Sequence, residues 1–193
     1  PELGCSKYYV AGKDERIRRR SALSKTLSEI CAEVYSLCPV INNEAINKNI
    51  LTGQAITSRG KVVKGLLAND LQIDLGLTGT GQEVSFMRST LCYTGVLASS
   101  EDGPFINLEP QDEKLRGVLT RIKEFIVGTS ICGKKSIGEL YQLLTVPEKK
   151  IGLKKGVIPI YFAAVLRYYK KYCVISKNGK ELEITDKLFD AIN

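Results

Sequence analysis

Residues 128–134 have the spacing GxxxxGK, which is the core of the P-loop that binds nucleotide phosphates. The complete motif places Ser or Thr directly after the lysine to hold magnesium, whereas this chain has Lys135 there and Ser136 one position later. A P-loop also follows a buried strand, but the residues before this segment carry a helical stripe with Arg121 and Lys123 on its other face. We therefore interpret 128–134 as a loop between two helices.

Other catalytic chemistry is restricted by composition. The chain contains no histidine, so it lacks the usual general base and every Ser-His or Cys-His dyad. Its six cysteines show no CxxC spacing, so we expect free, buried thiols, Cys31 and Cys38 among them, in a reduced protein without a metal site. The GxG at 79–81 lacks the third glycine of a dinucleotide fingerprint and is interpreted as a turn. We predict no enzyme, no catalytic residue and no cofactor.

Basic residues form the strongest candidate site. The formal charge of +7 and the pI of about 9.1 permit a polyanionic partner, although a solubilising surface charge explains them equally well. A cluster in the last quarter of the chain could contact DNA phosphates without sequence specificity. The predicted contact residues are Lys149, Lys150, Lys154, Lys155, Arg167, Lys170, Lys171, Lys177 and Lys180.

The elements around these residues follow the order of a winged helix-turn-helix. Ser136 and Glu139 have the spacing of a capping box that begins a short amphipathic helix, which Pro147 ends. A basic loop at 149–156 leads into a longer helix predicted at 157–172. In DNA-binding winged helices the second helix of the turn enters the major groove and the wing contacts the backbone.

The wing is predicted from a β-hairpin signal. Asn178-Gly179 favours a type I′ turn between short strands at 173–177 and 180–184. A closing helix is predicted at 186–192. The block from 136 onward therefore resembles a complete winged helix.

The predicted recognition helix is unusually apolar. Its first turns offer no outward donor or acceptor other than Tyr161, and base readout needs such groups near the helix N-terminus. Helices that are apolar all round are buried on most sides. We therefore expect this helix to be core or docking surface, and any DNA contact to come from the flanking lysines and the wing.

The first half of the chain is predicted to be helical. An apolar stripe marks a helix at about 21–37, and further helical patterns suggest a three-helix unit, with a winged-helix-like arrangement as one alternative. The polar, turn-rich segment 98–111 is the predicted linker. We expect a mainly α (α+β) fold with two small units, a helical one at 1–97 and a winged-helix domain at 112–193.

No apolar run is long enough for a membrane span, and no signal peptide opens the chain, so we expect a cytoplasmic protein. Pro1 stands in place of an initiator methionine, and the chain contains a single Met. We therefore expect it to be a piece of a longer polypeptide.

Three blocks carry a family resemblance. They are PVINNEAIN at 39–47, LTGTG at 77–81 with Arg88-Ser89-Thr90 beyond it, and GLKKGVIPI at 152–160. These blocks resemble an internal region of very large bacterial ATP-binding proteins, which carry an N-terminal P-loop ATPase module and are often associated with phage defence or DNA transactions. The resemblance implies that the ATPase module lies outside this chain.

The sequence thus predicts a non-enzymatic, DNA-associated or partner-docking winged-helix region of a larger ATP-binding protein. The expected partners are DNA, through non-specific phosphate contacts, and the flanking domains of the same polypeptide, with no membrane. Two alternatives are a pure protein-interaction or structural module and, less favoured, a nucleotide-binding enzyme fragment that uses the segment 128–134.

Overall fold

The computed structural model describes residues 7–15, 17 and 19–184. About half of the chain is helical, and the strands form small two-stranded antiparallel sheets, so the fold is mixed α+β. The chain divides into two compact units, Pro1–Ser36 and Leu37–Asn193. None of the described helices is both long and apolar enough to cross a bilayer.

The first unit contains a short hairpin and one helix. Strands β1 (Tyr8–Val10) and β2 (Lys13–Glu15) pair across a turn in which Ala11 and Gly12 both have positive φ. Helix α1 spans Arg20–Val34, in agreement with the helix predicted at about 21–37. Among the residues that the structure describes, none of those in α1 is buried.

The second unit begins with an irregular segment that leads into helix α2 (Gly53–Leu67), where Thr52 caps the helix by accepting a hydrogen bond from the Ala55 N–H. A left-handed turn through Asp74 and Leu75 follows. Helix α3 (Gln82–Met87) continues directly into a π-helical turn at Arg88–Cys92. Strands β3 (Leu97–Ser100) and β4 (Gly103–Ile106) then pair as a hairpin.

The remaining elements match the predicted order closely. Helix α4 (Glu113–Val127) and the short α5 (Thr129–Cys132) precede α6 (Ile137–Thr145), which begins at the predicted capping box. Helix α7 (Ile158–Tyr169) and the hairpin of β5 (Ile175–Lys177) and β6 (Lys180–Leu182) are the last elements among the described residues. The closing helix predicted at 186–192 lies outside the described residues.

Helix α7 is the centre of the second unit. It packs against α2 on one side and α4 on another, and every residue from 157 to 166 is buried. Of the two alternatives that the sequence left open for α7, core or docking surface, this burial supports core. Since a helix enclosed by two others has no free face near its N-terminus, it cannot enter a DNA groove to read bases.

Residues 98–111, for which the sequence predicts a linker, belong to the β3–β4 hairpin and the turn that leads into α4. Leu97 and Ile106 are buried in a single hydrophobic core, which extends from Ile41 to Leu166 and so includes both sides of the expected boundary. The compact units therefore divide between Ser36 and Leu37 rather than at 98–111. The polar turn of a tight hairpin has the composition of a linker, which explains the difference.

Candidate nucleic-acid interface

The loop between α6 and α7 exposes four of the predicted lysines. We call residues 149–156 the lysine loop. Ile151 and Leu153 are 1% and 2% exposed and fix this loop to the core, and the Leu153 N–H donates to the Leu144 carbonyl at 2.8 Å. The exposed lysines are Lys149, Lys150, Lys154 and Lys155. An anchored backbone with outward ammonium groups can contact phosphates at little entropic cost to the loop itself.

A second segment of the unit, which includes Leu37, Lys48 and Asn49, forms hydrogen bonds with the lysine loop. The Leu37 N–H donates to the Lys150 carbonyl at 2.9 Å, and the Lys155 N–H donates to Asn49 Oδ1 at 3.2 Å. The Gly156 N–H donates to the Lys48 carbonyl at 2.8 Å. Lys48 is exposed, so these contacts add a fifth lysine that the sequence analysis did not select.

The thiol of Cys38 is influenced by the charges of two lysines, Lys154 in the lysine loop and Lys114 in α4. Burial raises the pKa of the Cys38 thiol, while the positive charges of Lys154 and Lys114 act in the opposite direction. Both ammonium groups therefore lie within electrostatic range of the same sulfur atom. Lys114 lies in the first turn of α4 and is exposed.

The β5–β6 hairpin, predicted as the wing, has the predicted turn. Asn178 and Gly179 both have positive φ, at 53° and 78°, as a type I′ turn requires, and Lys177 pairs with Lys180 across the strands. Both lysines are exposed at the tip of the hairpin. They present two like charges side by side, which is a suitable arrangement for a polyanion backbone.

Two of the predicted residues at the end of α7, Arg167 and Lys170, form hydrogen bonds with backbone carbonyls. The guanidinium of Arg167 donates to the carbonyls of Leu66, Ala68 and Asn69 at 2.8, 2.6 and 3.1 Å. Lys170 Nζ donates to the carbonyls of Leu67 and Ala68 at 2.8 and 3.2 Å.

These carbonyls form the C-terminal end of α2, where the helix dipole is negative and the last carbonyls lack helical partners. Burial lowers the pKa of Arg167 and of Lys170. The geometry of these two side chains therefore supports a capping role in the fold and not a phosphate contact. Lys171 beside them is exposed.

Ser89 from the second of the resembling sequence blocks and Gly156 from the third both form hydrogen bonds with the segment 39–51. Asn43 Nδ2 donates to Ser89 Oγ at 3.0 Å and to Ser85 Oγ at 3.2 Å, which joins the first block to the π-helical turn. Residues 152–156 of the lysine loop belong to the third block, and Lys155 and Gly156 among them contact Asn49 and Lys48 as described above. No local spacing in the sequence indicates these contacts, because each contact joins residues that are far apart in the chain.

The segment 128–134 connects two helices, as predicted. It contains Gly128 at the end of α4, the short α5, and Gly133 in a left-handed conformation. Lys135 lies with Nζ 5.5 Å from the centre of the Phe125 ring, a cation–π contact. The element before the segment is thus a helix and not the buried strand that delivers a P-loop.

The cysteines correct one expectation. All five in the described part of the chain are free, as predicted, but none is fully buried: Cys31 and Cys132 are exposed, and Cys38, Cys92 and Cys173 are half-buried. Cys31 is exposed because α1 buries none of its residues. Within the described residues, no group of three or more His, Cys, Asp or Glu side chains could hold a metal ion.

No protein-family model, curated protein or solved structure matches this chain.

Proposed function

We propose that this chain is a non-enzymatic region that contacts the sugar-phosphate backbone of DNA without reading its sequence. The observation that carries the proposal is the lysine loop, whose backbone is anchored by Ile151 and Leu153 and whose four lysines face outward. Lys48 and the wing lysines extend the same function. Helix α7 contributes by holding the loop in place and not by entering a groove.

We also propose that α4, α6, α7 and the β5–β6 hairpin form a modified winged helix. The order of three helices followed by a hairpin supports this assignment. The modification is that α2 covers α7. The elements that flank α7, and not α7 itself, therefore contact the nucleic acid.

The family resemblance described above supports a cytoplasmic setting within a larger bacterial ATP-binding protein, in phage defence or another DNA transaction. In that setting the ATP-dependent step belongs to another part of the polypeptide. This chain supplies contact with DNA and with the neighbouring domains.

The proposal is tested by fluorescence anisotropy of a labelled DNA duplex, titrated with the protein at low and at moderate salt. We expect binding at low salt that weakens steeply as salt rises, because phosphate neutralisation releases counterions. Two duplexes of unrelated sequence should bind with similar affinity. Absence of binding at low salt would eliminate the proposal.

A second candidate function is self-association through α1. Leu23, Leu27, Ile30 and Val34 follow one another at spacings of four, three and four, which is the pattern of a coiled-coil seam. Leu27 is 52% exposed and Val34 is 39% exposed. The occupant that this spacing favours is α1 of a second copy of the chain, because a heptad seam pairs best with another heptad seam.

This candidate predicts a concentration-dependent dimer in sedimentation-velocity experiments. Leu27→Glu should shift the protein to monomer, since it places a charge in the seam. Ala32→Glu is the matched control, because Ala32 is exposed on the opposite side of the same helix and its substitution should leave the dimer intact. A protein that stays monomeric at the highest concentration would exclude this function.

A further inference from the structure

A cleft of about 400 Å³ lies between the C-terminal end of α7 and strand β4. Its volume falls in the range of sites for small molecules. Pro104, Phe105 and Ile106 form one wall, and Leu71 also lines the cleft. The opposite wall consists of Arg167, Tyr168, Lys171 and Tyr172.

Three aromatic rings line this cleft while remaining open to solvent. Phe105 is 42% exposed, Tyr168 is 50% exposed and Tyr172 is 85% exposed. The Tyr168 hydroxyl donates to the Ile106 carbonyl, so its ring is held against β4. Exposed rings on a fixed backbone form a platform on which another planar group can stack.

The same cleft carries positive charge. Lys171 is exposed in its wall, and Arg167 and Lys170 lie beside it. Asp70 lies within electrostatic range of Arg167 and Lys170 and opposes their positive charges. Since Arg167 and Lys170 are directed at the end of α2, Lys171 is the ammonium best placed to contact a bound anion.

We propose that this cleft binds an unpaired nucleotide, with its base stacked on Tyr172 and Phe105 and its phosphate paired with Lys171. The proposal rests on the proposed contact with nucleic acid and specifies where a single strand would be held. A duplex cannot use the cleft in this way, because its bases are already stacked and paired. Aromatic stacking combined with a cationic groove is typical of sites that bind single strands without sequence preference.

The test compares a labelled oligothymidine strand, a labelled duplex and free thymidine monophosphate in titrations of the full chain. Tyr172→Ala should weaken single-strand binding by about fivefold to a hundredfold, the range that loss of one stacked base gives. Tyr172→Phe keeps the ring and should bind as the wild type does. Tyr93→Ala is the control, because Tyr93 is 81% exposed and does not line the cleft.

Duplex binding separates this proposal from the function on which it rests. We expect Tyr172→Ala to leave duplex affinity unchanged, whereas a variant of the lysine loop should lose it. If thymidine monophosphate binds as tightly as the strand and loses affinity with Tyr172→Ala, the cleft is a site for free nucleotides. Wild-type strand affinity in Tyr172→Ala, or equal losses for strand and duplex, would overturn the stacking proposal without affecting the lysine loop.

Discussion

Gly156→Ala is expected to lower the free energy of unfolding by about 2–4 kcal/mol, through steric conflict and a weakened hydrogen bond. A Cβ atom on Gly156 would approach the Ile46 carbonyl more closely than real Cβ atoms do, and it would lie 2.9 Å from both the Lys48 carbonyl and Leu51 Cδ2. Backbone atoms cannot rotate away as a flexible side chain can. The lysine loop and the segment 46–51 must therefore move apart, which also weakens the bond from Gly156 N–H to Lys48.

Thermal and denaturant unfolding measure this effect. For a chain of this size the expected loss corresponds to a fall in melting temperature of roughly 5–15 °C. Gly117→Ala is the matched control, because Gly117 lies inside α4 with no atom within 4 Å of the added Cβ. Alanine favours a helix over glycine, so the control should gain up to about 1 kcal/mol. Wild-type stability of Gly156→Ala would show that the loop does not pack on 46–51.

Arg167→Ala is expected to destabilise the chain by about 2 kcal/mol, the typical cost of removing charge-assisted hydrogen bonds that satisfy backbone carbonyls. The variant leaves the carbonyls of Leu66 and Asn69 without this donor, while Ala68 retains Lys170. It also removes a cation from the negative end of the α2 dipole. Because α2 covers α7, loosening of its last turn also affects the core.

Two controls separate the capping role of Arg167 from a role in DNA binding. Lys171→Ala removes an exposed cation from the same end of α7 and should change stability by no more than about 0.5 kcal/mol. Arg167→Lys should have intermediate stability, since one ammonium cannot reproduce a planar fork. If Arg167→Ala keeps wild-type stability and loses DNA affinity instead, the side chain contacts phosphate and the capping assignment is wrong.

The sequence predicted the features that depend on neighbouring residues. The capping box of Ser136 and Glu139 and the turn at Asn178-Gly179 are present, because each is specified by side chains and φ angles within a few positions. The burial of α7 was also predictable, since a helix without a polar face has to be enclosed.

Contacts between distant parts of the chain could not be predicted in this way. Arg167 forms hydrogen bonds with carbonyls about one hundred residues earlier in the sequence, and the Lys155 N–H donates to Asn49, 106 residues earlier. Consequently the sequence could not show that Arg167 and Lys170 are hydrogen-bonded to the end of α2, or that Lys48 lies beside the lysine loop. The β3–β4 hairpin was not predicted within 98–111 for a related reason, since composition does not show that Leu97 pairs with Ile106.

The central claim is that the lysine loop contacts phosphate, and the salt dependence of duplex affinity tests it most directly. The variant Lys154→Ala/Lys155→Ala is compared with Lys64→Ala/Lys123→Ala, which removes two exposed lysines from α2 and α4. We predict that the loop variant reduces the slope of log affinity against log salt by about 2, one for each lost phosphate contact. The control should keep the wild-type slope. Equal slopes for the loop variant and the wild type, or equal losses in both double variants, would contradict the claim.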